Sequence, residues 1–171
     1  MITEYDVTYI TKEFLLINGW KIIAFNPPGS QGTFTIPNPS KDPKYKGQSG
    51  SQSPDIVVYK LLNNVNTFLI IESKPIYNEK DVKKMIEMFS NPTRFDLALS
   101  IFKIQARANG IDIKKNIPDK ILFGKAHGGL RKHVHKNIIT FLIKLKNKEW
   151  NPKGFHYGEN VYSNFMIEEI H

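Results

Sequence analysis

The chain has no cysteine. Disulfides, thiolate metal centres and cysteine nucleophiles are excluded together, and the absence fits a reducing compartment. Long apolar runs are missing too: no stretch approaches the roughly 18 residues of a membrane-spanning helix. Nothing near the N-terminus has the pattern of a signal peptide, so a soluble, cytoplasmic protein is expected. Acidic residues are the scarcer charge, 16 Asp+Glu against 24 Lys+Arg, for a formal net charge of +8. A surplus of that size favours a polyanionic partner, because phosphate contacts release condensed counterions. There are no internal repeats. At 171 residues the chain is expected to be one domain over 1–171, large enough to bury a core without staples.

What is there is organised around Ser53–Lys74, SPDIVVYKLLNNVNTFLIIESK. Two β-branched apolar runs, Ile56–Tyr59 and Thr67–Ile71, flank Asn63-Asn64. Asparagine tolerates the positive φ that a two-residue hairpin turn demands at both central positions. With the turn centred there, opposed residue numbers sum to 127, so residue 58 faces 69 and Asp55 faces Glu72. Directly opposed side chains leave the same face with Cβ atoms roughly 4.5–5.5 Å apart. Two carboxylates that close repel unless a proton or a cation lies between them. Lys74 is two residues beyond Glu72 and shares its face. Asp55, Glu72 and Lys74 thus converge on one strand end, as a divalent-cation site with an ammonium beside it.

Pro54-Asp55, a hydrophobic strand, and then Glu72-Ser73-Lys74 resemble the PD-(D/E)XK nuclease superfamily, which includes restriction endonucleases and Holliday-junction resolvases. The resemblance covers roughly residues 4–90. It implies that Asp55 and Glu72 bind Mg²⁺, with Mn²⁺ as a substitute, and that the carbonyl of Ser73 is a further ligand. It implies that Lys74 orients the attacking water and stabilises charge on the phosphate in the transition state. Many members carry a glutamate on the first helix that reaches the metal; Glu13 is the expected residue, preferred to Asp6 because it lies nearer the following strand. Lys83 and Lys84, on the helix after the catalytic strand, are candidates for the substrate backbone. No Gln-x-x-x-Tyr follows, which argues against a RecB-like exonuclease.

Around the hairpin, residues 4–18 carry a helical stripe (Val7, Ile10, Phe14, Ile17), and Asn18-Gly19 ends it. Trp20–Phe25 reads as a strand. Residues 26–53 form a long polar loop, with a short strand possible at Thr33–Ile36; Lys41, Lys44 and Lys46 make it a substrate-facing loop. Residues 78–90 read as an amphipathic helix capped by Asn78, with Val82, Met85, Ile86 and Phe89 inward. Pro92 interrupts, a second helix spans 93–108, and Asn109-Gly110 ends it. Lys120–Phe123 reads as a strand, followed by a Gly-rich turn, GKAHGG, which lacks the remaining elements of a P-loop. Residues 130–146 fit helix slightly better than strand. The expected fold is α/β, a mixed central sheet flanked by helices, as in the restriction-endonuclease-like core.

His127, His133 and His135 invite a zinc reading, but four ligands without cysteine would require help from Asp119 or Glu149. His133 and His135, with Arg131 and Lys132, read better as a basic strip for phosphates. The function expected is Mg²⁺-dependent endonucleolytic cleavage of double-stranded DNA, foremost by a type II restriction enzyme. A Holliday-junction resolvase is the nearest alternative, and a catalytically silent nucleic-acid-binding relative is a third. One active site per chain cuts one strand, so double-strand cleavage implies a homodimer or a partner subunit.

Overall fold

The computed structural model describes residues 2–30, 34–37, 53–129, 135–146 and 165–171. Its elements follow the order α1 (Glu4–Ile17), β1 (Lys21–Phe25), β2 (Ile56–Leu62), β3 (Val65–Lys74), α2 (Glu79–Phe89), α3 (Pro92–Ala108), β4 (Asp119–Gly128), β5 (Ile138–Leu145) and β6 (Phe165–Ile170). The six strands form one mixed sheet in the order β1-β2-β3-β4-β5-β6. Neighbouring pairs are antiparallel except β3–β4 and β4–β5, which are parallel. A parallel β3–β4 pair needs a long crossover, and α2 and α3 supply it.

The hairpin turns at Asn63 and Asn64, with φ of 48° and 61°. Its register runs from Leu62↔Val65 to Ile56↔Ile71, so every opposed pair sums to 127 as expected. Strand alternation then sorts the side chains between two cores. Leu69 and Ile71 pack with Val7, Ile10 and Leu15 of α1. Phe68 and Ile70 pack on the other face with Val82 and Met85 of α2 and with Ala98 and Phe102 of α3. Helices therefore cover both faces of the sheet. The same alternation sends Glu72 and Lys74 to the α2 face and Ser73 to the α1 face.

Local chemistry sets the helix ends. Thr3 caps α1 in a capping box with Asp6: the Thr3 hydroxyl accepts from the Asp6 N–H at 3.1 Å, and the Asp6 carboxylate accepts from the Thr3 N–H at 2.8 Å. Asn78 caps α2 as expected, accepting from the Lys80 N–H. Pro92 does not separate two helices by breaking one. It sits in the first turn of α3, where its missing N–H costs nothing, behind the cap Asn91.

Several sequence expectations are corrected. The buried stripe of α1 runs through Val7, Ile10, Thr11 and Leu15, while Ile17 is exposed. Ile86 of α2 is exposed as well. Of the strand suggested at Thr33–Ile36, Thr33 lies outside the described residues, and Ile36 contributes a single bridge. GKAHG is no turn: β4 continues to Gly128. Gly124 is small because a Cβ there would stand 3.0 Å from Ile71 and 3.2 Å from Phe141, which is a packing constraint. In the 130–146 stretch, Ile138–Leu145 form strand β5, not helix. Ile138, Phe141, Leu142 and Ile143 are buried, because a strand paired with β4 and β6 fills both cores and so shows little alternation. No helix among the described residues is long and apolar enough to cross a membrane.

Candidate active site

Asp55 immediately precedes β2 and is pinned there through its backbone. Its carbonyl accepts from the Asn26 N–H at 2.8 Å, and the buried Asn26 amide donates to the carbonyls of Pro54 (2.9 Å) and Phe34 (3.2 Å). The Asp55 carboxylate turns across the hairpin and accepts from the Ser73 N–H at 2.6 Å. Glu72, one residue before that donor, lies on the same face. Burial pushes the Asp55 carboxyl up to about 6 against the opposing pull of the Ser73 N–H and the Lys74 ammonium. Burial, then the negative charge of Asp55, pushes Glu72 further, to about 8. The pair therefore meets the condition set by the hairpin register: a proton or a cation is needed between them.

Lys74 closes β3, and its ammonium donates to Glu4 at 2.8 Å. Burial alone would lower its pKa. The hydrogen bond and charge of Glu4, with the charges of Asp55 and Asp81, outweigh that and leave it raised. Lys74 is thus held as a cation. Glu4 reaches it because α1 starts at the end of the sheet where β3 stops. Gly128, at the end of β4, makes room for this approach: a Cβ there would collide with Ile2 and stand 2.8 Å from the Pro75 carbonyl oxygen.

Glu4, not Glu13, is therefore the first-helix carboxylate brought to the site. Glu13 lies nine residues along α1, about 13 Å by helical rise, and pairs with Lys12 at 3.2 Å. Asp6 is committed to the cap. From α2, Asp81 faces the site: its charge acts on Asp55, Glu72 and Lys74, and its buried Oδ2 has no hydrogen-bond partner among the described residues.

Comparison with family models, curated proteins and solved structures finds no match. The chemistry of the site is read from its own residues.

Among the described residues, no three His, Cys, Asp or Glu side chains are gathered tightly enough to form a metal cage. A hard dication such as Mg²⁺ does not need one, since it keeps several waters and takes one or two carboxylates. Asp55 and Glu72 fit that demand, and the charge of Asp81 acts on both from α2. Ser73 is fully buried, and its N–H serves Asp55.

Of the proposed phosphate contacts, Lys83 is exposed and bridges Glu79 at 3.0 Å, one helical turn away, which makes it a solvated helix residue. Lys84 is exposed, yet its charge reaches Glu72. Lys41, Lys44, Lys46, Arg131, Lys132 and His133 lie outside the described residues. His135 is half-buried; it hydrogen-bonds the Tyr77 hydroxyl and stacks on that ring. His127 is buried, donates Nδ1–H to the Gly128 carbonyl at 2.9 Å and meets the edge of Tyr77. Both imidazoles are thus engaged around Tyr77; Asp119, one of the carboxylates the zinc reading needs, pairs with Lys103 instead, and Glu149 lies outside the described residues.

Sequence reasoning missed Glu4, Asp81 and Lys125. Strand parity carried beyond Ile121 and Phe123 points to positions 125 and 127, but reading GKAHGG as a turn cut that series short. Lys125 pairs in register with Glu72, and His127 with Lys74, so both β4 residues share the site's face.

Proposed function

We propose that the chain is a Mg²⁺-dependent DNA endonuclease with Asp55, Glu72 and Lys74 as its catalytic set, most simply a type II restriction enzyme. One observation carries the reading. Two buried carboxylates, Asp55 raised by its burial and Glu72 raised by burial and by the charge of Asp55, share a strand end with a lysine fixed as a cation. Such a pair is poised to exchange a shared proton for a dication. The element order αβββααβββ builds a mixed sheet with helices on both faces, and that coarse architecture is compatible with the PD-(D/E)XK resemblance.

Asp55 and Glu72 would hold the metal, which when bound polarises the phosphate and lowers the pKa of a water. The Ser73 N–H orients the Asp55 carboxylate. Lys74, charged throughout the neutral range, donates to a non-bridging oxygen of the scissile phosphate and stabilises the charge gathering there. It is a donor, not a general base. Glu4 is a positioning residue that fixes the Lys74 ammonium. Water adds to phosphorus, the bond to the 3′ oxygen breaks, and a 5′-phosphate and a 3′-hydroxyl are left. The net charge of +8 supplies the long-range attraction to DNA.

The test is incubation of phage DNA with the purified protein, with and without Mg²⁺. Discrete, metal-dependent fragments support a restriction enzyme. A smear indicates a general nuclease, and cutting confined to four-way junctions indicates a resolvase. No cleavage of any DNA under any divalent cation refutes the reading.

A further inference from the structure

Between α2 and the distal part of β4 lies a cavity of about 10 Å³, bordered by Glu72, Lys74, Tyr77, Asp81 and Lys125. That is room for about one water-sized oxygen. Two of these residues present buried charges of opposite sign with no hydrogen-bond partner among the described residues, Lys125 Nζ and Asp81 Oδ2. Lys125 is only 4% exposed. Its ammonium rests 4.2 Å from the centre of the Tyr77 ring. A cation over an aromatic face retains some stabilisation, but far less than its lost hydration.

An unsatisfied ammonium and an unsatisfied carboxylate lining the same one-oxygen cavity are poorly suited to holding a fold together. It suits a ligand that brings both signs, a phosphate with its dication. We propose that Lys125 is a second phosphate-binding ammonium of this site, receiving a non-bridging oxygen of the phosphodiester in the cavity beneath Tyr77. The assignment rests on the nuclease reading and deepens it. Lys74 and Lys125 then flank the phosphate from adjacent strands, with Glu72 opposite Lys125 in register. Asp81 completes the acidic side from α2. The cavity admits one oxygen and no base, so Lys125 contributes affinity and rate without reading sequence.

Lys125→Met keeps the length of the side chain and removes the charge. Three measurements are made on it beside wild type and Lys74→Met: melting without DNA, Ca²⁺-supported binding of a duplex across a salt series, and single-turnover cleavage in Mg²⁺. Removing a buried, unpaired charge leaves the melting temperature unchanged or raises it. Cleavage falls by about 10²-fold, as for the loss of one preorganised donor. The slope of log affinity against log salt drops by about one.

Cleavage within about threefold of wild type, with wild type active, overturns the role of Lys125 and leaves the nuclease reading standing. A variant that melts lower than wild type makes Lys125 a structural ammonium and overturns the assignment equally. If wild type itself cleaves no DNA, the nuclease reading fails and the assignment falls with it.

Discussion

Replacing Glu72 with glutamine changes the energetics of the site in a calculable direction. In the folded protein burial and Asp55 hold the Glu72 carboxyl at about 8, against 4.5 for a free side chain. Between those two pH values the folded state keeps a proton that the unfolded chain has released. The unfolded state then binds fewer protons, so stability falls as pH rises through the window. Each tenfold in proton affinity is worth about 1.4 kcal/mol, and the whole window on the order of 5 kcal/mol. Glu72→Gln carries no proton to lose. It should match wild type near pH 4.5 and exceed it near pH 8 by an amount of that order, without metal. Lys125 works in the opposite sense: burial lowers it to about 8, so its penalty is present at lower pH and relieved only above that value. Readings taken below pH 8 keep the two effects apart. The assay is urea unfolding at a series of pH values, with chelator and then with Mg²⁺. Mg²⁺ should flatten the wild-type slope, because a cation replaces the proton. Parallel wild-type and Glu72→Gln curves from pH 4.5 to 8 would mean that Glu72 is solvated, and the account of the site would fail.

Other perturbations probe the supports. Glu4→Gln removes the carboxylate that raises Lys74, so the alkaline limit of the pH–rate profile should move down and cleavage slow by about 10-fold or more; an unmoved limit would separate Glu4 from Lys74. Gly128→Ala meets Ile2 and the Pro75 carbonyl, and should cost about 1–3 kcal/mol in urea unfolding while slowing cleavage; an unchanged midpoint would contradict the close approach of α1 to β4. Asp55→Asn removes one charge at nearly constant shape, so at fixed ionic strength it should bind DNA without metal more tightly than wild type. Weaker binding by a folded variant would turn Asp55 away from the phosphate.

The parts of the site legible in the sequence are those set by neighbours along the chain. Asn63-Asn64 could adopt only a few turns, and a two-residue turn fixes every opposed pair as far as Ile56 and Ile71, the neighbours of Asp55 and Glu72. Asn78 and Gly19 marked helix ends because caps are local chemistry. What was illegible is decided by packing. Gly124 signals a turn by composition, yet it is small because Ile71 and Phe141 crowd it from the flanking strands. Residues 138–145 read ambiguously because strands covered on both faces lose their alternation. Glu4 and Glu13 are equally acidic and lie on one helix; only the docking of α1 against the sheet end distinguishes them. Asp81 and Lys125 line one cavity between a helix and a strand, a juxtaposition that no spacing along the chain encodes.

The most direct test of the central claim is single-turnover cleavage of supercoiled plasmid by wild type and Glu72→Gln, each in Mg²⁺, in Ca²⁺ and in chelator. Wild type should nick or linearise the plasmid in Mg²⁺ alone, since Ca²⁺ satisfies the carboxylates in a looser geometry. Glu72→Gln should be slower by at least about 10²-fold while remaining folded. Cleavage that persists in chelator, or that Glu72→Gln performs at the wild-type rate, would contradict a metal-dependent nuclease site at Asp55, Glu72 and Lys74.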